Sequence, residues 1–154
     1  MQEFKTIEDK LKNAINGKLL SNALDFVAFL RKNNVTQTGI DAIHYMDECI
    51  CYIDTHDQSY TIWLAGDFRN DQCGFPLDET VKELAWSHAN ECGNCDDCEN
   101  KPGKVATIFG RNFINICNGA YVDIKAYNPN IETLECFKKL LEYRIFNISN
   151  NISA

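Results

Sequence analysis

The sequence predicts an α+β protein: an antiparallel sheet, built from a three-stranded meander plus one or two C-terminal strands, packed with helices and carrying a cysteine-rich loop. Two observations predict it. Apolar residues recur at helical spacing near both ends of the chain, whereas between residues 43 and 65 the pattern switches to period two with short polar links. At 154 residues, 45% of them apolar, the chain can bury one sizeable core, and no repeat or long linker divides it. Residues 1–154 therefore read as a single domain.

Residues 1–33 carry the N-terminal helices. Phe4, Ile7, Leu11, Ala14 and Ile15 form one apolar stripe, and Gly17 supplies a stop. Leu20, Ala23, Leu24, Val27 and Leu30 form the next, widened by Phe26 and Phe29 and ended by Asn33-Asn34. Residues 38–66 hold the meander: Ile43–Tyr45, a turn at Met46-Asp47-Glu48, Cys49–Asp54, a polar hairpin loop Thr55–Ser59, then Tyr60–Ala65. A loop carrying Cys73 leads to a helix over 78–90, with Asp78 as its N-cap and Val81, Leu84, Ala85 and His88 on one face. Residues 91–118 form the cysteine-rich loop, with Thr107–Phe109 a candidate strand and Phe113–Cys117 open. Residues 120–146 supply a strand over Ala120–Ile124 and a helix started by Asn128-Pro129, whose buried stripe is Leu134, Phe137, Leu141 and Ile145. Residues 147–154 read as a frayed tail.

The formal charge of −7 and pI near 4.9 oppose binding to a phosphate backbone, so nucleic acid is not an expected partner. No apolar run approaches the ~20 residues that span a bilayer, so a membrane is not one either. The start, Met1-Gln-Glu-Phe-Lys-Thr6, has neither a basic region nor an apolar core of a secretory signal. The expectation is a cytoplasmic protein whose eight cysteines are reduced, which favours metal binding or plain burial over disulfides.

The densest chemistry lies in Cys92-Gly-Asn-Cys95-Asp-Asp-Cys98, three thiols three residues apart in a polar segment. Thiols at this spacing can face one ion if the backbone wraps it, and the glycine permits such wrapping. Cys117 is the expected fourth ligand of a structural zinc site, with His88 the alternative. His88 shares its helical face with Val81, Leu84 and Ala85, so a packed core histidine is the preferred reading for it. The same three-thiol spacing opens bacterial iron–sulfur motifs, whose fourth Cys precedes Pro; here Asn118 follows Cys117. Zinc is thus preferred over an iron–sulfur cluster, and a plain polar loop is the remaining reading. Asp96, Asp97 and Glu99 read as solvated loop charges.

The other thiols suggest no chemistry. Cys49 and Cys51 fall on one strand face with Ile53 and read as core packing. Cys136 flanks a helical stripe, and Cys73 is expected to be an exposed thiol. Asp54-Thr-His56-Asp57 gathers carboxylates around an imidazole at a hairpin tip, where a solvated turn is the simpler account. Tyr52, Tyr60, Trp63 and Phe68 could line a groove, but a sheet covered by helices on both faces would bury them. No catalytic residue and no cofactor-binding motif emerges.

Several phrases together, Phe26-x-x-Phe-Leu30, Cys51-Tyr-Ile53, Cys92-Gly-x-Cys95-x-x-Cys98, Thr107-Ile-Phe-Gly110, Phe113-x-Asn115-x-Cys117 and Leu134-Glu-Cys136, resemble a group of small bacterial proteins with no assigned activity. The resemblance spans about Leu24 to Arg144. It implies that the cysteine cluster and the later Cys117 occur together, which adds weight to Cys117 as fourth ligand; it implies no activity. The expectation is a protein of unknown function that is more a non-enzymatic binding or regulatory domain with a structural zinc than a small redox or thiol enzyme, its partner an unidentified protein or small molecule.

Overall fold

The computed structural model describes residues 6–39, 41–66, 68, 75–91, 103–116 and 122–150. Two helices open the chain. Thr6 caps the first, α1 (Ile7–Ala14), by accepting a hydrogen bond from the Asp9 amide at 3.1 Å. The second, α2 (Gly17–Lys32), buries Ala23, Phe26, Val27 and Leu30 and begins three residues before its predicted start. Asn34 follows its end at φ +59°, the left-handed conformation that asparagine tolerates.

The meander is present, with one strand added in front of it. β1 (Thr36–Thr38), β2 (Ala42–Tyr45), β3 (Glu48–His56) and β4 (Ser59–Ala65) pair antiparallel in sequence order. β1 escaped the sequence reading because Thr-Gln-Thr has no apolar alternation; its pairing to β2 makes it a strand. Met46 and Asp47, at φ +48° and +69°, form the tight turn between β2 and β3. β7 (Val122–Tyr127) completes the sheet against β4, giving the order β1-β2-β3-β4-β7.

α3 (Glu79–Ser87) precedes a separate hairpin of β5 (Lys104–Ile108) and β6 (Arg111–Ile116). Asp78 stands at the N-cap position of α3, but its side chain makes no capping hydrogen bond. Phe109, predicted within a strand, instead forms the hairpin turn with Gly110, at φ +45° and +82°. Such a two-residue turn needs positive φ at both positions, and its twist matches the strands it joins. The final helix, α4 (Ile131–Ser149), runs into the region predicted to fray and buries Asn147. Its cap is Asn130, which accepts from the Thr133 amide at 2.8 Å. Asn128, the predicted cap, splices β7 to β4: its amide donates to the Tyr60 carbonyl, and its Oδ1 accepts from the Tyr60 amide, both at 2.9 Å.

The buried apolar residues make one contiguous cluster. Ile43, Cys51, Ile53, Ile62, Leu64, Ile124 and Ala126 supply the sheet side, while Leu11, Phe26, Leu30, Phe137 and Leu141 supply the helical side. α1 and α4 lie on the sheet, and α2 packs against both. The helices occupy one face. On the other, Tyr52, Trp63 and Lys125 stand in a cross-strand row, the two rings half-buried and Lys125 exposed. The expectation of helices on both faces is therefore corrected for Tyr52 and Trp63, although Tyr60 and Phe68 are buried. Among the described residues no helix is long and apolar enough to cross a membrane.

Candidate metal centre

Cys92, Cys95, Cys98 and Cys117 lie outside the described residues, as does Cys73. The frame from which their two segments spring is described in full. Glu91, immediately before Cys92, pairs in an antiparallel bridge with Ile116, immediately before Cys117. On its other side Ile116 is in register with Lys104 of β5. Segment 92–102 thus departs and returns on opposite sides of a single residue, Ile116.

Side chains and backbone tie this junction together. The Gly103 amide donates to Asn115 Oδ1 at 2.7 Å, and a Cβ at Gly103 would run into the Ile116 carbonyl oxygen, so the close approach needs glycine. The Asn90 amide donates to the Asp123 carbonyl at 2.7 Å, the Lys125 amide donates to the His88 carbonyl at 2.9 Å, and Ala89 bridges Ile124. Residues 88–91 therefore act as a short strand linking β7 to β6. The Lys104 ammonium lies 3.2 Å from Asp123 Oδ1. That carboxylate oxygen is buried without a well-directed hydrogen bond among the described residues, so charge rather than direction holds the pair. Asp123 stands two residues beyond segment 117–121, so both cysteine segments begin and end here.

His88 caps the C-terminus of α3 at the edge of the junction. Its Nδ1 is 3.2 Å from the Lys125 carbonyl, and its ring meets Phe137 edge-on at 5.8 Å. Facing a carbonyl, Nδ1 carries the proton in the neutral ring, an assignment made from the contact. The imidazole is half-buried and wedged between β7 and α4. Among the described residues no three His, Cys, Asp or Glu side chains converge as a metal site.

The described thiols are free and held protonated. Cys51 is fully buried, and burial pushes its thiol far up. Cys136 donates to the Val81 carbonyl at 3.5 Å, and burial pushes it up to about 12. Cys49 is half-buried and also raised, chiefly by burial. The prediction that Cys49 and Cys51 share a face is corrected by a β-bulge. Cys51 pairs with Ile43 and Cys49 with His44, adjacent residues whose side chains point to opposite faces of β2.

At the hairpin tip His56 Nε2 lies 3.3 Å from Asp54 Oδ2 with both side chains well exposed, a solvated pair. One device escaped the sequence reading. Trp86 Nε1 donates to the Ile108 carbonyl at 2.6 Å, and the Arg111 guanidinium stands over both the Trp86 and Phe113 rings, at 5.6 and 5.5 Å. This stack pins the β5–β6 hairpin to α3. Trp86 and Arg111 are far apart in sequence, so no local pattern signals the contact.

Compared with known protein families, curated proteins and solved structures, the chain matches none.

Proposed function

We propose that this chain is a non-enzymatic binding or regulatory domain whose two cysteine segments hold a structural zinc ion through Cys92, Cys95, Cys98 and Cys117. The observation that carries the reading is the Glu91–Ile116 bridge. Each partner precedes a cysteine by one residue, so chain geometry keeps the Cα atoms of Cys92 and Cys117 within about 13 Å of each other. The ends of segment 92–102, on either side of Ile116, are about two strand spacings apart, ~10 Å, far less than its length could span. That slack is what three ligands wrapping one ion require.

Four thiolates suit zinc and leave no open position for a substrate, which is why the metal is assigned a structural role. The protonated state of Cys49, Cys51 and Cys136 also argues against thiol chemistry at those residues. His88 fits the site less well than Cys117, because its ring is already engaged by Lys125 and Phe137. The acidic charge supports a protein or small-molecule partner rather than nucleic acid, and the thiol-rich composition supports a cytoplasmic, bacterial setting.

The test is elemental analysis of protein purified without added metal, with the visible spectrum taken on the same sample. One zinc per chain in a colourless solution is expected. A brown solution containing iron assigns a cluster and revives the redox-enzyme reading; a metal-free, folded protein ends the metal reading.

A further inference from the structure

The strand system runs β1-β2-β3-β4-β7, then residues 88–91, then β6 and β5. Its two ends are treated differently. β1 is three residues long, and the Gln37 side chain lies across it, accepting from the Ile7 amide at 3.0 Å and donating to the Gly39 carbonyl at 3.2 Å. That edge is blunted. β5 carries none of the devices that protect an edge: its Lys-Val-Ala-Thr-Ile has no proline, no inward charge and no covering element among the described residues.

The hairpin geometry says which groups of β5 are bare. With a two-residue turn at Phe109-Gly110, the Ile108↔Arg111 and Ala106↔Phe113 pairs exchange their hydrogen bonds inside the hairpin. The amides and carbonyls of Val105 and Thr107 therefore point away from β6. Val105 is 68% exposed, and beside it on the same outer face Ile114 is 80% exposed.

We propose that two copies of this chain associate edge to edge through β5, antiparallel about Ala106. Val105 then pairs with the Thr107 of a second copy, and the two exposed Val105–Ile114 patches join into one surface. A second copy is favoured as occupant by charge. The strand's one charged residue, Lys104, is engaged by Asp123 and falls opposite Ile108 of the other copy, so no like charges meet. A contact through one five-residue strand stays below the ~1,200 Å² of stable interfaces, so the dimer forms progressively with concentration.

The experiment is sedimentation velocity of the metal-loaded, as-purified protein over a hundred-fold concentration range, with amide hydrogen exchange at both extremes. The average mass is expected to climb from one chain toward two, while exchange slows at Val105 and Thr107 and stays unchanged at Ala106 and Ile108. Val105→Lys places a charge on the shared edge, and Thr107→Pro removes an outward amide that the hairpin does not use. Each is expected to keep the protein monomeric. If Thr107→Pro disrupts the hairpin, Val105→Lys carries the test alone. A protein that is monomeric throughout overturns the proposal, as does a dimer indifferent to Val105→Lys.

Discussion

Replacing Gly103 with alanine tests the junction at its tightest point. The added Cβ would meet the Ile116 carbonyl oxygen and the Asn115 backbone, atoms that no side-chain rotation can move aside. Either β5 withdraws from β6, losing the Gly103–Asn115 hydrogen bond, or the strands stay and the overlap is absorbed as backbone strain. Overpacking of this kind costs about 1–3 kcal/mol, and for a chain of this length each kcal/mol shifts Tm by roughly 2–4 °C. A fall of about 4–8 °C is therefore expected for a cost near 2 kcal/mol, read by circular dichroism in parallel with zinc content. Zinc retention should fall with it, since Gly103 closes the segment that carries three of the proposed ligands. Gly110→Asn is the control: the position has φ +82° and open space, and asparagine tolerates that conformation, so little change is expected. A Gly103→Ala protein that melts within a degree of the parent and keeps its zinc would refute the close approach and its coupling to the metal.

Three further outcomes are expected. Cys117→Ser should lose zinc on dialysis, whereas Cys73→Ser and His88→Ala should keep it; loss with His88→Ala but not with Cys117→Ser would make the histidine the fourth ligand. Zinc should also be released as the pH falls, because binding requires thiolates. Tyr60→Phe should leave stability unchanged or raise it by up to about 1 kcal/mol, because the buried Tyr60 hydroxyl has no hydrogen-bond partner; a clear loss in urea melts would reveal a hidden one. Cys136 is raised in the fold to about 12, so its contribution is complete below the ordinary thiol range and is lost as the pH climbs from about 9 toward 12. Cys136→Ala should accordingly flatten the alkaline fall in stability, and an unchanged slope would show that this thiol does not titrate with unfolding.

The elements legible in the sequence were those whose burial is local and periodic. The stripes of α2 and α4 and the alternation of β4 could be read because one face of each is simply apolar. The β3 pattern misled on one point. Period two put Cys49 with Cys51, but a bulge set by pairing with β2 turned them apart, and only the neighbouring strand supplies that shift. Asn128 failed as a helix cap for a similar reason: its side chain found a partner in Tyr60, far away along the chain.

The candidate site divides along the same line. Spacing, residue type and charge determined by themselves that residues 92–98 could gather thiols, that the chain is acidic, and that an α+β core would form. They could not say that Glu91, Gly103, Ile116 and Asp123 share one junction, because those residues meet through a bridge, a hydrogen bond and an ion pair between segments distant in sequence. Nor could they foresee that Trp86 and Arg111 pin the hairpin beside it, or that β5 is left as an unprotected edge. Local sequence encodes which face of an element is apolar. Which elements then meet depends on closing long loops around a shared core, and that free energy belongs to the whole chain.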